Sequence, residues 1–175
     1  MVNKKRLALA ALAAAVLHGS VAAQTPQASW QQASNGPGRF TVLVPSELKA
    51  SPPTTDANGI TTYTFAASQP GKAYVVAYAN GSTADPQREM DDARDALLKG
   101  ISATLVSEHR FKSVQPVGEV MATEITCRSE SQGTECKART FWYKSTLYMI
   151  GVLHRTGAGS PLDTDKFLDS FRITG

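Results

Sequence analysis

Few side chains in this sequence carry reactive chemistry, and the first of them are its two cysteines, Cys127 and Cys136, in CRSESQGTEC. Two thiols so placed can be a metal site, a redox pair or a staple across a turn. They are not spaced C-x-x-C, which argues against a thioredoxin-like redox motif. Zinc would need two further ligands, and beyond the first 23 residues the only histidines are His109 and His154. The choice that remains depends on compartment, because disulfides persist in exported, oxidising settings. His154 ends the apolar run LYMIGVLH and precedes Arg155 and the loop TGAGSP. A base or anion-coordinating residue at a strand end beside a helix N-terminus is sound chemistry. The backbone amides of Gly157, Ala158, Gly159 and Ser160 can cradle a carboxylate or phosphate there. The spacing is not that of a P-loop. Ser160 is not in G-x-S-x-G, and its better reading is a helix N-cap.

The remaining candidates read as ordinary surface or core. His109 lies in SEHRF between Glu108 and Arg110 and reads as a neutral surface histidine. Asp91, Asp92 and Asp95 interleave with Arg88 and Arg94 on a helical stretch. Calcium needs about six or more converging oxygens, whereas carboxylates displayed on a helix diverge. A solvated face is expected, with no metal and no cofactor fingerprint. Phe141, Trp142, Tyr143 and Tyr148 fall on adjacent strands. One alternating face must hold Phe141 and Tyr143, and left uncovered by a helix it would be a partner surface.

The compartment is set by the opening MVNKKRLALAALAAAVLHGSVAAQTP. Lys4, Lys5 and Arg6 form a positive n-region, Leu7 to Leu17 an apolar run, and Val21-Ala22-Ala23 a small-residue cleavage motif. This is the pattern of a secretory signal peptide cut between Ala23 and Gln24. The apolar run would reach about 16 Å as a helix, against roughly 30 Å of hydrocarbon. No cysteine near the cut allows a lipoprotein, and no later segment is apolar for long enough to span. The protein is therefore expected in the periplasm or outside the cell, and not membrane-spanning after cleavage. The whole chain has 18 Lys+Arg and 15 Asp+Glu. Losing three basic residues with the signal leaves the mature chain neutral, which removes any electrostatic argument for nucleic acid. In that setting the two cysteines are expected to form a disulfide.

The flanking residues support the staple. With a turn at Ser131-Gln132, residues whose numbers sum to about 263 face each other. Cys127 then faces Cys136, Ile125 faces Ala138, Thr123 faces Thr140, and Met121 faces Trp142, all on one mostly apolar face.

These residues need elements to position them. Residues 24–38 are polar and read as a flexible leader, with Trp30 available to pack on the domain. RFTVLVP (39–45) alternates Phe40, Val42 and Val44 and is a first strand. SELKASPPTTDANG reads as a loop, and 60–67 and 73–79 as a hairpin. Asp85 caps a helix with Pro86 at its first position, and Met90, Ala93, Leu97, Ile101 and Leu105 form its apolar stripe. Strands are expected near 109–115, 119–127, 136–143 and 146–154. LYMIGVL is almost continuously apolar, the mark of a strand buried on both faces. Ser160, Pro161 and Asp163 predict a capping box opening a helix whose apolar face is Leu162, Phe167, Leu168 and Phe171. The expected architecture is α+β: an antiparallel sheet of about seven strands with helices on both faces, an α/β/α sandwich, in one domain over 39–175.

The leader followed by RFTVLVP, the hairpin, the DPQREMDDARDALL helix, LYMIGVL and the closing FLDSFRI together resemble the PsbP-like superfamily, over about residues 38 to 174. The resemblance implies the same fold and a protein that binds partners rather than an enzyme. It offers no catalytic residue to carry over. The leading expectation is thus a periplasmic, non-catalytic protein that docks a protein partner or envelope component. The alternatives are a carrier of a small apolar ligand between sheet and helix, and a small hydrolase using His154 and the Gly157–Ser160 corner.

Overall fold

Alternating apolar residues build most of the chain into strands, as the computed structural model shows for residues 29–80 and 85–175. The expected signal peptide, its cleavage point and the first leader residues lie outside that range. Strand β1 (Gln31–Asn35) pairs with β2 (Phe40–Val44), which buries Phe40, Val42 and Val44. Two-residue strands β3 (Lys49–Ala50) and β4 (Thr54–Thr55) lie along β5 (Thr61–Gln69). β5 turns through Pro70-Gly71 into β6 (Lys72–Asn80), with Gly71 at a φ of 72°. Helix α1 (Pro86–Gly100) follows, then β7 (Thr104–Gln115), β8 (Gly118–Ser129), β9 (Thr134–Tyr143) and β10 (Thr146–Arg155). Helix α2 (Pro161–Ser170) and β11 (Arg172–Ile173) close the chain.

The large sheet runs β3-β5-β6-β10-β9-β8-β7, with β4 beside β5, and every pairing in it is antiparallel. A small sheet, β1-β2-β11, stands apart from it. β10 is buried along both faces. Leu147, Met149 and Leu153 join Met90, Leu97 and Ile101 of the α1 side. Tyr148, Ile150 and Val152 join Phe167 and Leu168 of α2 and Phe171 just after it, together with Phe40, Val42 and Val44 of β2. Helices thus lie on both faces of an antiparallel sheet, but α2 shares its face with the small sheet.

Cys127 and Cys136 are disulfide-bonded across β8 and β9, and Ile125↔Ala138, Thr123↔Thr140 and Met121↔Trp142 pair in the expected register. Only the turn is longer: strand pairing stops at Ser129↔Thr134, and Gly133, at a φ of 59°, donates to the Glu130 carbonyl. α1 begins as the residue types require, with the Asp85 carboxylate accepting from the Arg88 N–H at 3.1 Å.

Several expectations are corrected. The leader is not loose throughout, because β1 forms within it; Trp30 does pack on the domain, edge-on against Tyr74 with ring centroids 5.7 Å apart. The loop after β2 contains β3 and β4. Leu105 is not on the helix stripe. Ser102 takes a φ of 50° and Ala103 donates to the Leu98 carbonyl, so the chain reverses and Leu105 enters β7, 41% exposed. The capping box does not form: Ser160 makes no side-chain cap bond. Asp163 instead pairs with the buried Lys72 ammonium at 2.8 Å, since a buried charge needs a counterion more than a helix end needs a second cap. Leu162, assigned to the apolar face, is 83% exposed.

Asp91 and Asp95 belong to an ion-pair network that ties α1 to β7. The Arg94 guanidinium reaches Asp95 at 2.8 Å and Glu108 at 2.6 Å, and Arg110 reaches Glu108 at 3.0 Å and Asp91 at 3.2 Å. Burial alone would raise the Glu108 carboxyl, but the bonds and charges of Arg110 and Arg94 outweigh it and hold it below the ordinary value of 4.5. A depressed carboxylate adds stability above its unfolded-state pKa and loses it as pH falls through the folded one. Glu108→Gln is expected to cost about 1 kcal/mol at neutral pH. The difference from the parent should be flat at neutral pH and shrink below 4.5 in urea denaturation across a pH series. Reducing the Cys127–Cys136 bond, which closes a loop with a sequence separation of 9, should cost about 2–3 kcal/mol in the same assay.

Candidate functional site

Strand ends bring the sequence-derived candidates together. β10 ends at His154-Arg155, β8 and β9 meet their turn beside it, and the loop from Thr156 leads into α2. Between them lies an open groove of about 410 Å3. His154, Gly157, Gly159 and Ser160 all line it, so four of the five residues assigned to this corner share one surface. Arg155 is not among the lining residues. The groove also takes in residues that the sequence pattern did not single out: Arg128, Glu135, Lys137 and Asp165, with Cys127 and Cys136 among its other lining residues. A usable sign was present in the register, which sets Arg128 opposite Glu135 and Thr126 opposite Lys137 on one face.

The charges in the groove are mixed and largely paired. Arg128 meets Glu135 at 2.8 Å, and Lys137 meets Asp165 at 2.9 Å and Glu124 at 3.3 Å. Burial opposes the Lys137 charge, but its two carboxylate partners raise its pKa overall. The His154 Nδ1 stands 3.1 Å from the Arg155 carbonyl and 4.0 Å from Glu135. A neutral ring donating from Nδ1 to that carbonyl leaves Nε2 as its acceptor. No hydrogen bond joins His154 to Ser160 among the described residues. The imidazole is fitted closely against the glycine loop. A Cβ on Gly159 would come within 2.5 Å of its Cε1.

The other candidates take different places. Phe141 is 2% exposed and stacks on Phe171 with centroids 5.3 Å apart, so it is core and not a partner surface. The ring at the end of α2 covers the face that looked open in sequence. Tyr143 is half-buried against the same cluster, with the Lys144 ammonium 5.1 Å over its ring. His109 is exposed and stacked on Phe111. No group of three or more potential metal ligands converges among the described residues. No helix there is long and apolar enough to cross a membrane.

Over 89% of its length the chain superposes on 98% of the solution structure of cyanobacterial PsbP (CyanoP) from Synechocystis sp. PCC 6803, with a TM-score of 0.58. The chain has a PsbP-like fold. Identity to that protein is 12%, which makes the likeness one of fold. No family model matches the sequence, and no curated protein matches it.

The fit of His154 against Gly159 gives a direct test. Gly159→Ala is expected to cost about 1–3 kcal/mol, the range for overpacking, and to displace the imidazole. In the double variant with His154→Ala that cost should fall to near zero, because the clash has lost its second partner. Thermal unfolding of the four proteins in the cycle, with the His154 ring resonances followed by NMR, measures both.

Proposed function

We propose that this is an exported, non-catalytic accessory protein of the periplasm, and that the groove between the β8–β9 turn and the start of α2 docks a segment of a partner protein or envelope component. The observation that carries the reading is the character of the groove: open, about 410 Å3, and lined by paired charges of both signs rather than by a nucleophile–base pair. Val106, 65% exposed at the bulge of β7, lies on its wall, and exposed Leu162 follows its lining residue Pro161. An apolar anchor within a charged rim is how partner surfaces are usually composed. The disulfide and the PsbP-like fold support an extracytoplasmic setting.

The alternatives have less behind them. A carrier of apolar ligands needs a cavity between sheet and helix, and the one beside Leu97, Met149 and Gly151 holds about 30 Å3, room for about one water. A hydrolase needs Ser160 or another nucleophile bonded to His154, and His154 instead faces the Arg155 carbonyl.

A photo-crosslinking residue at Val106 should capture one partner of reproducible mass in the producing cell. The same residue at Val114, 84% exposed at the far end of β7, should not. Capture should fall with Arg128→Glu. Equal capture from both positions, or none from Val106, overturns the docking reading. The mass of the purified protein tests export separately: it should begin at Gln24 and be two hydrogens light.

A further inference from the structure

At the opposite end of the sheet two hairpin tips meet around a second pocket, of about 200 Å3. The β1–β2 tip contributes Pro37, Gly38 and Arg39, and the β9–β10 tip contributes Lys144 between Tyr143 and Thr146. Asn80, at the end of β6, and Tyr148 complete the wall. The lining holds two cations and no carboxylate. Neither Arg39 nor Lys144 joins an ion pair among the described residues, whereas Lys72, Arg94, Lys137 and Arg139 all do.

Both cations stand where their backbone is costly. Tyr143 pairs with Thr146, so Lys144 and Ser145 are the two central residues of a tight hairpin, at φ values of 44° and 64°. Asn-Gly is the residue pair that such a turn favours. Arg39, last in its turn before Phe40, has a φ of 49°. Of the four described non-glycine residues with positive φ, three therefore stand at these two tips. Glycine would relieve each of them. Backbone strain that carries a charged side chain in place of glycine marks a position where the side chain has a use.

We propose that this pocket binds the phosphate group of a small ligand or lipid headgroup. Arg39 offers a planar fork of donors and Lys144 a compact charge, the two cations that phosphate sites employ. The Asn80 amide and the Tyr143 hydroxyl stand beside them as polar donors, while the Thr146 and Tyr148 hydroxyls are engaged with their neighbours. Thr146 is already bonded to the Asn80 side-chain carbonyl at 3.0 Å, which turns the Asn80 NH2 to the other side. Burial pushes the Tyr148 phenol up, and its hydroxyl, bonded to Thr146, forms the back of the pocket. The volume is below the roughly 300–1,000 Å3 of drug-sized pockets and suits a single anionic group. Gly38 keeps the tip close, since a Cβ there would lie 2.5 Å from the Tyr78 ring.

The test is a titration of the purified 15N-labelled protein with inorganic phosphate at constant ionic strength, read by amide NMR, with chloride as the control. Saturable shifts are expected at Gly38, Arg39, Lys144 and Ser145 with phosphate alone. Arg39→Gly and Lys144→Gly should each weaken binding at least tenfold while the melting temperature stays level or rises, because each relieves a positive φ. Shifts that are absent, equal with chloride, or unchanged in both variants overturn the proposal. Sedimentation with phosphatidylcholine vesicles, with and without phosphatidylglycerol, separates the sources. Phosphate-competed binding to the anionic vesicles assigns a headgroup, and its absence alongside positive NMR shifts assigns a free phosphate-bearing ligand.

Discussion

Everything in this fold depends on β10 being dry on both faces. An antiparallel strand usually leaves one face to water. Here Leu147, Met149 and Leu153 press against α1 and its neighbours, and Tyr148, Ile150 and Val152 against α2 and β2. Each fully buried side chain of this size contributes about 1.5–3 kcal/mol, so neither cover can be lost without losing most of the core. Gly151 sits at the middle of the strand, where an added Cβ would come 3.1 Å from that of Ala138. That close approach lets β9 and β10 lie together beneath α1.

Closing both faces fixes how the second layer is held. α2 carries Asp163, Asp165 and Asp169, and each finds a cation standing on the sheet: Lys72 at 2.8 Å, Lys137 at 2.9 Å and Arg139 at 2.7 Å. Their carboxylates are partly to mostly exposed, so the pairs are individually worth little. Their use here is in register, because they place Phe167, Leu168 and Phe171 over the strands in one rotation of the helix. The Ser170 hydroxyl adds a further tie by accepting from the Leu43 N–H of β2 at 2.9 Å. The helix and the small sheet thereby form one cover.

Much of this was legible in the sequence. The period of two gave β2 and the β8–β9 register through the cysteines, because burial on one face leaves a strand no freedom to slip. Asp85-Pro86 marked the start of α1 by local chemistry alone. The failures share another cause: they turn on long-range competition. Asp163 was a good capping residue until Lys72, brought close by the fold, made a stronger demand on it. Phe141 alternates correctly, yet what covers it is Phe171, thirty residues on in the sequence. β1 has little apolar patterning of its own and exists because β2 offers it an edge.

With β10 covered on both faces, the two open pockets lie at the ends of the strands. The two pockets described above occupy opposite ends, and they differ in how their charges are balanced. At the β10 C-terminal end, Arg128 and Lys137 are neutralised by Glu135, Asp165 and Glu124, so the groove is stable empty and gains little from a small ion. At the other end the cations of Arg39 and Lys144 line a wall without carboxylates, on turns that glycine would make more cheaply. An anion would give these two cations the counter-charge that no carboxylate of the lining supplies. The groove is therefore suited to an extended surface that can exchange with its existing ion pairs, and the tip pocket to a compact negative group.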